Sequence, residues 1–259
     1  MNKHSRDSLS LGYHENSKLL KFNHKYDKKT QYKIYPSSKS IMLDKIEYSD
    51  KELDESGFIR TLLSRKSTRD FTKGCISLRE LSQLLTLSFG FRGVEIQSMS
   101  FRTYASAGAR YPIEVYPVIF RSNDIDIGIY HYNVVENTIE LIKSGDFNSQ
   151  ICEFYKNQDF LSNASCVIFF SMVFERSMEK YGDRGYRFIY LDAGHMSQNL
   201  YLTSEYLGLG VVALGAGLKS DDEIDDLIGL VHKAENTFYG FALGSCGNPI
   251  NNQFYRSGK

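Results

Sequence analysis

The longest helical pattern in this sequence, at residues 183–207, constrains the fold more than any other feature. Apolar side chains recur there at helical spacing, and Gly208 follows where a helix C-cap would lie. The apolar stripe consists of Ile189, Ala193, Met196, Leu200 and Leu207. A helix of this length crosses a whole domain, at about 1.5 Å per residue. The other elements must therefore pack around it.

Strand and helix patterns alternate irregularly along the rest of the chain. Ser77 and Glu80 form a capping-box pattern at the start of a helix that stops at Gly90. Further helices are predicted at residues 54–63, 147–157 and 220–227, and strands at 115–120, 127–132, 138–142, 166–174, 209–214 and 237–243. Hairpins mixed with helices, without a regular strand–helix–strand repeat, indicate an α+β fold.

Charge and cysteine patterns narrow the possible functions. Lys and Arg together number 31, as do Asp and Glu, so no overall field favours nucleic acid or an anionic membrane. The longest apolar stretch is too short to cross a bilayer, and the first residues lack the apolar run of a signal peptide. The four cysteines show no CxxC spacing, which argues against a disulfide framework. His195 lies near Asp192 but has no second histidine at the spacing of a metal site. We expect reduced thiols, a hydrogen-bonded core histidine, no metal site and a cytoplasmic protein.

The first part of the chain differs from the rest. Residues 1–50 carry little apolar periodicity, and the first thirty hold seven Lys and Arg against three Asp and Glu. This composition predicts an N-terminal extension at 1–50, partly irregular, followed by one domain at 51–259.

Two short segments before the strands carry candidate binding residues. Arg65, Ser67 and Arg69 alternate, so an extended backbone would point all three side chains the same way. The forked guanidinium groups and the hydroxyl could bind a phosphate or a heterocycle rich in carbonyl oxygens. The alternative interpretation of this segment is a solvated basic turn that binds no ligand. Ser106 and Gly108 lie in a turn where glycine allows a ligand to approach the backbone closely.

A third segment precedes and enters the long helix. Lys180 and Tyr181 are adjacent proton-transfer groups at its mouth, and buried carboxamides at Gln198 and Asn199 would suggest a polar ligand. The alternative for Lys180 and Tyr181 is a packing pair at the helix entry. Residues 208–213 match the G-x-G-x-x-A dinucleotide pattern only formally, because they follow a helix and enter a strand.

Taken in order along one chain, these segments resemble the flavin-dependent nitroreductase superfamily. More narrowly, they are similar to the SagB-type dehydrogenases, the azoline oxidases of thiazole/oxazole-modified peptide biosynthesis. The segment from Tyr13 to Lys18 is similar to an N-terminal motif of that branch. The resemblance covers nearly the whole chain.

The resemblance implies a central, mostly antiparallel sheet flanked by helices, in an intertwined homodimer with FMN at the subunit interface. Residues implied to hold the ribityl phosphate and the pyrimidine edge are Arg65, Ser67 and Arg69, with Arg256 as a further phosphate ligand. Ser106 and Gly108 would approach from the partner subunit, Gln198 and Asn199 would present amides near the ring, and the Leu214 and Gly215 backbones would line the site. Ala105 stands where the family often has proline, which predicts a looser turn.

The resemblance also implies a reaction. An azoline becomes an azole when a base takes a proton from ring carbon and the flavin takes a hydride. Lys180 and Tyr181 match the family's lysine–tyrosine motif, and which of them is the base stays open. Positive charge from Arg176, Arg184 and Arg187 could lower the pKa of either group. The acidic residues Glu175, Glu179 and Asp183 would oppose that shift, and the sequence leaves the balance open. Cyclase proteins, leader-binding proteins and a precursor peptide are the implied partners.

Two other functions remain compatible with the sequence. One is a reductase that uses NAD(P)H and FMN on a dehydroamino acid, nitro or quinone substrate. The other is a structural subunit of a peptide-modifying complex that has kept the fold without the flavin.

Overall fold

The computed structural model describes residues 9–17, 49, 56–96, 99–155, 158–215 and 221–247. Arg256 and most of the predicted extension at residues 1–50 lie outside these ranges. None of the described helices is long and apolar enough to cross a membrane.

A six-stranded sheet forms the centre of the domain. Its strands are β3 (Ile113–Ile119), β4 (Gly128–Asn133), β5 (Thr138–Ser144), β6 (Cys166–Val173), β7 (Leu209–Leu214) and β8 (Glu235–Ser245). Their spatial order is β5-β4-β3-β6-β8-β7, and every neighbouring pair is antiparallel. A separate hairpin consists of β1 (Phe91–Ile96) and β2 (Met99–Arg102). The predicted α+β fold with a mostly antiparallel sheet is confirmed.

Seven α-helices lie around the sheet in the part of the chain that the structure describes. They are α1 (Leu9–Ser17), α2 (Gly57–Ser64), α3 (Leu78–Phe89), α4 (Asn148–Phe154), α5 (Phe174–Tyr181), α6 (Gly185–Leu207) and α7 (Asp221–Ile228) within the described residues. The Ser77–Glu80 capping box is present at the start of α3. Gly208 ends α6 in the left-handed conformation, with φ +73°, that favours glycine.

The core lies on both faces of the sheet. Successive residues of β6 point to opposite faces, so Ile168 and Phe170 join one apolar cluster while Val167 and Phe169 join the other. Helices α3 and α6 cover the first face, and α4 and α7 cover the second. This arrangement explains why β6 is an uninterrupted buried strand and why α6 becomes the central helix.

The structure corrects the sequence prediction near Lys180 and Tyr181. The strand predicted to reach residue 174 ends at Val173, and a separate helix, α5, runs from Phe174 to Tyr181. The Lys180–Tyr181 pair therefore ends α5 rather than opening the long helix. A short 3₁₀ turn, Gly182–Arg184, joins α5 to α6, and Gly182 has φ +56°.

Candidate active site

Asp192 of α6 fixes the turn that contains Ser106. The Ser106 hydroxyl donates to Asp192 Oδ2 at 2.5 Å, and the Ala107 amide donates to Oδ1 at 3.2 Å. Ser106 Oγ also accepts from the Tyr111 amide at 2.9 Å. Burial raises the pKa of Asp192, although the hydrogen bonds from Ser106 and Ala107 oppose the rise. The buried carboxyl group thus holds the start of this turn, and the Ser106 hydroxyl links that start to Tyr111.

Two more side chains of α6 hold the same loop. His195 Nδ1 lies 2.8 Å from the carbonyl oxygen of Ala105, so this nitrogen carries the proton. Asn199 Nδ2 donates to the carbonyl oxygen of Thr103 at 3.2 Å. His195 is exposed, so the expectation of a core histidine was wrong in its burial and right in its hydrogen bond. The loop predicted to loosen around Ala105 is anchored at that residue.

Gly108 brings the Ser106 turn against the Lys180–Tyr181 pair. Gly108 has φ +60°, and a Cβ there would collide with Tyr181 Oη and lie 2.7 Å from Lys180 Nζ. The Lys180 ammonium group lies 5.2 Å from the Tyr181 ring centroid, and the Tyr181 ring meets Phe188 edge-on at 4.9 Å. Lys180 is exposed and Tyr181 half-buried. Gly108, Lys180 and Tyr181, hereafter the lysine–tyrosine cluster, therefore converge from distant parts of the sequence.

Arg65 and Ser67 meet around Tyr201, a residue that the sequence patterns did not single out. The Arg65 guanidinium lies 5.2 Å from the Tyr201 ring centroid, and Ser67 Oγ lies 3.1 Å from Tyr201 Oη. The same phenol oxygen accepts from the Ala213 amide of β7 at 2.9 Å. Either hydroxyl can donate in the contact between Ser67 and Tyr201, and when the phenol donates, the serine hydroxyl is able to donate outward. Arg65, Ser67 and Tyr201 are called the arginine cluster below.

Arg69 diverges from the other two predicted phosphate ligands. Its guanidinium lies 5.9 Å from the Phe160 ring centroid rather than beside Tyr201. Among the described residues no carboxylate pairs with Arg65 or Arg69. Both guanidinium groups therefore keep donors for an anion.

The remaining predicted residues lie on α6 and at the end of β7. Gln198 is exposed and Asn199 half-buried in this chain, so the expectation of two buried carboxamides was wrong. Leu214 is buried and pairs with Gly240 of β8. The Gly215 carbonyl oxygen accepts from Gln158 Nε2 at 2.9 Å.

Arg176 of α5 has an acidic partner on the sheet. It forms an ion pair with Glu114, whose other oxygen lies 2.9 Å from His131 Nε2. Burial acts to raise the pKa of Glu114, but the hydrogen bond from His131 and the Arg176 charge outweigh it and lower the pKa. The hydrogen bond to Glu114 raises the pKa of His131, with a second contribution from Glu140 at 3.0 Å. The positive charge of Arg176 is thus balanced by Glu114 of β3.

The two clusters lie on opposite sides of α6. Asp192, which anchors the turn beside the lysine–tyrosine cluster, and Tyr201, the centre of the arginine cluster, are nine residues apart on this helix. That separation is two and a half turns, at about 3.6 residues per turn, so the two side chains leave α6 in opposite directions.

The sequence matches one protein family and is similar to proteins from an archaeon and a bacterium. Residues 62–245 match the model of the Nitroreductase family. A Methanocaldococcus jannaschii protein named as a nitroreductase, MJ1384, is 31% identical over 187 residues, covering 72% of this chain and 91% of that protein. The microcin B17-processing protein McbC of Escherichia coli is 27% identical over 146 residues. This match covers 53% of the chain and 51% of McbC, so the chain spans about half the length of that relative.

A solved structure extends the likeness in fold. The Escherichia coli microcin synthetase McbBCD complex, with truncated pro-MccB17 bound, contains a chain that superposes with a TM-score of 0.71. The superposition covers 92% of each chain at 19% sequence identity. Agreement of this extent at such low identity establishes a common architecture.

Proposed function

Because the chain belongs to the nitroreductase family and is an oxidoreductase, we propose that it is an FMN-dependent dehydrogenase that oxidises azolines to azoles in a ribosomally made peptide. The observation that carries this proposal is the contact of Gly108 with Lys180 and Tyr181, which joins two of the motifs shared with azoline oxidases. The likeness to McbC, a microcin-processing protein, supports the same substrate class.

The donor set fits FMN, within a family that generally uses flavin. Arg65 and Ser67 stand together with donors available to a phosphate, and Arg69 lacks a carboxylate partner among the described residues. The exposed Gln198 amide lies three residues before Tyr201 on α6, and therefore on the same side of the helix. We assign Arg65, Ser67 and Arg69 to the phosphate and pyrimidine edge, and Gln198, Asn199, Leu214 and Gly215 to the ring surroundings. Arg256 remains a proposed phosphate ligand outside the described residues.

The lysine–tyrosine cluster supplies the base. When bound, FMN would take a hydride equivalent from the azoline ring and pass two electrons to O2. Lys180 or Tyr181, in its deprotonated form, accepts the proton from the adjacent ring carbon, which balances the loss of two hydrogens. Both groups converge on Gly108, so either can reach the same point in the site. The neighbouring group would orient the base through a hydrogen bond or its charge.

A homodimer would complete the site. Helix α2 has an apolar face but no buried residue in the single chain, and Phe58, Leu62 and Leu63 are 68%, 46% and 46% exposed. An exposed apolar face of this kind marks an interaction surface. Since the two clusters lie on opposite sides of α6, we propose that one subunit provides the arginine cluster and its partner the lysine–tyrosine cluster. Ser106 and Gly108 would then approach the flavin from the partner subunit.

We further propose that the enzyme acts in the cytoplasm with cyclase and leader-binding proteins on a precursor peptide. The McbBCD complex, which has peptide bound, supports partners of this kind. The partner proteins and this chain would then recognise the peptide together.

One experiment separates the proposal from its rivals. The purified protein is expected to be yellow, and with partner proteins and an azoline peptide it should remove about 2 Da per ring, the mass of two hydrogens. No change in peptide mass together with rapid bleaching by NAD(P)H would instead identify a reductase. A folded, colourless protein that stays colourless after incubation with FMN would identify a structural subunit.

A further inference from the structure

The N-terminal helix α1 docks on the connection that follows Lys180 and Tyr181. Two polar residues on one side of α1, Ser10 and His14, are only 7% and 2% exposed. They are four residues apart and therefore share a helix face. Leu9, by contrast, is 82% exposed. The fully buried positions of α1 are thus polar, while Leu11 adds a partly buried apolar contact with the core.

Ser10 binds the turn between α5 and α6. Its hydroxyl lies 2.8 Å from the backbone oxygen of Asp183 and 2.9 Å from the Asp183 carboxylate, and its amide donates to that carboxylate at 3.4 Å. Asp183 is two residues after Tyr181, and Gly182 between them has φ +56°. A short turn with this backbone conformation gains its fixed geometry from such contacts.

His14 bridges the two helices that the turn connects. Its Nδ1 lies 3.1 Å from the Tyr186 hydroxyl in the first turn of α6, and its ring meets Phe174, the first residue of α5, edge-on at 5.2 Å. The hairpin of α5 and α6 is itself closely packed, because a Cβ at Gly185 would lie 2.9 Å from the Ser177 carbonyl group. Ser177 Oγ also donates to the Gly185 oxygen at 3.2 Å. A shift of α1 would therefore be transmitted to the end of α5.

We infer that α1 is a positioning element of the active site, with Ser10 and His14 as positioning residues that set the placement of Lys180 and Tyr181 against Gly108. This inference rests on the proposed function, since it assigns α1 a part in that reaction. The docked helix would bring one segment of the predicted extension to the catalytic base without contact with substrate. Small errors in the placement of a catalytic group are costly, so the effect should fall on turnover.

Paired substitutions test the inference. His14→Phe keeps a ring against Phe174 and Tyr186 but removes the Nδ1 hydrogen bond, and Ser10→Ala removes only a hydroxyl. We expect each to retain its flavin and melting temperature while kcat falls about tenfold or more at little-changed KM, because a 1 Å misplacement can cost about a hundredfold. His14→Asn, which restores a polar group near the Nδ1 position, should recover most of the rate. Asn16→Ala is the matched control, because the exposed Asn16 amide donates to the Gly12 oxygen of its own helix.

A second readout needs no substrate. Hydrogen–deuterium exchange of the amides in residues 180–186 should become faster in His14→Phe and Ser10→Ala but not in Asn16→Ala. The rate at which an added acylating reagent modifies Lys180 should change in the same two variants. Unchanged exchange, unchanged kcat or loss of flavin in these variants would overturn the inference. If the wild-type protein fails to oxidise azolines, the exchange result still decides it. If His14→Phe does not fold, Ser10→Ala carries the test.

Discussion

Two inactive variants of this protein should restore activity when they share a dimer. Arg65→Ala removes a guanidinium from the arginine cluster, and Lys180→Ala removes a proposed base from the lysine–tyrosine cluster. The clusters lie on opposite sides of α6, so in a two-fold symmetric dimer each complete site would draw one cluster from each subunit. A mixed dimer then has one site with both lesions and one site with neither.

The size of the effect follows from counting sites. Loss of a charge-assisted hydrogen bond should weaken FMN binding by about 1.5–3 kcal/mol, or about 10- to 150-fold, so Arg65→Ala homodimers are nearly empty at limiting FMN. Lys180→Ala homodimers keep flavin without the base. Random pairing at equal amounts makes about half of the dimers mixed, and about a quarter of all sites are then intact.

The assay is coexpression with two affinity tags, followed by measurement of azole formation by mass spectrometry. We expect about a quarter of wild-type activity in the mixture. The matched control coexpresses the double variant Arg65→Ala/Lys180→Ala with the wild-type chain, and should also give about a quarter, because only wild-type homodimers are active. A mixture no better than its parents, with a control near one half, would show that each site is built from a single chain.

Three further outcomes are expected. Lys180→Ala and Tyr181→Phe should stay yellow and folded yet oxidise substrate at least about a hundredfold more slowly, as loss of a general base costs about 10²–10⁴-fold; full activity in both would remove the pair from the reaction. Tyr201→Phe should weaken FMN binding measured by fluorescence titration, because Ser67 and the Ala213 amide lose their shared hydroxyl; unchanged affinity would contradict the arginine cluster as a binding unit. Contact with Glu114 raises the pKa of His131 above its usual 6.5. The decrease in melting temperature caused by His131→Gln should therefore be largest below pH 6.5 and should shrink as pH rises through the raised pKa. A decrease that does not depend on pH would refute this.

Local signals in the sequence were enough to predict much of the fold. The strand at residues 209–214 and the end of the long helix before Gly208 were placed correctly, because glycine caps and apolar periodicity act within a few residues. Helix α5 was missed because the apolar strand pattern of residues 166–174 runs into its first residue, and its own apolar residues, Phe174, Met178 and Tyr181, are few. The β1–β2 hairpin was likewise not predicted.

The candidate site was predictable only in part. The segments were identifiable from residue types, but the contact of Gly108 with Lys180 and Tyr181 depends on how two distant loops meet. Tyr201 was missed because its importance comes from β7 and the Ser67 segment, neither of which adjoins it in sequence. Periodicity predicts which face of a helix is buried, but it does not report what lies on the other face.

The segment that carries Ser67 also closes one edge of the central sheet. The Thr68 amide donates to the Val211 oxygen at 2.8 Å, and the Ala213 amide donates to the Tyr201 hydroxyl. The outer backbone groups of β7 are therefore hydrogen-bonded at these two positions. An open strand edge is a template for pairing with another chain. If bound FMN holds this segment in place, loss of the cofactor would loosen the cover and expose β7. Flavin supply during expression would then govern aggregation of the protein as well as its catalysis.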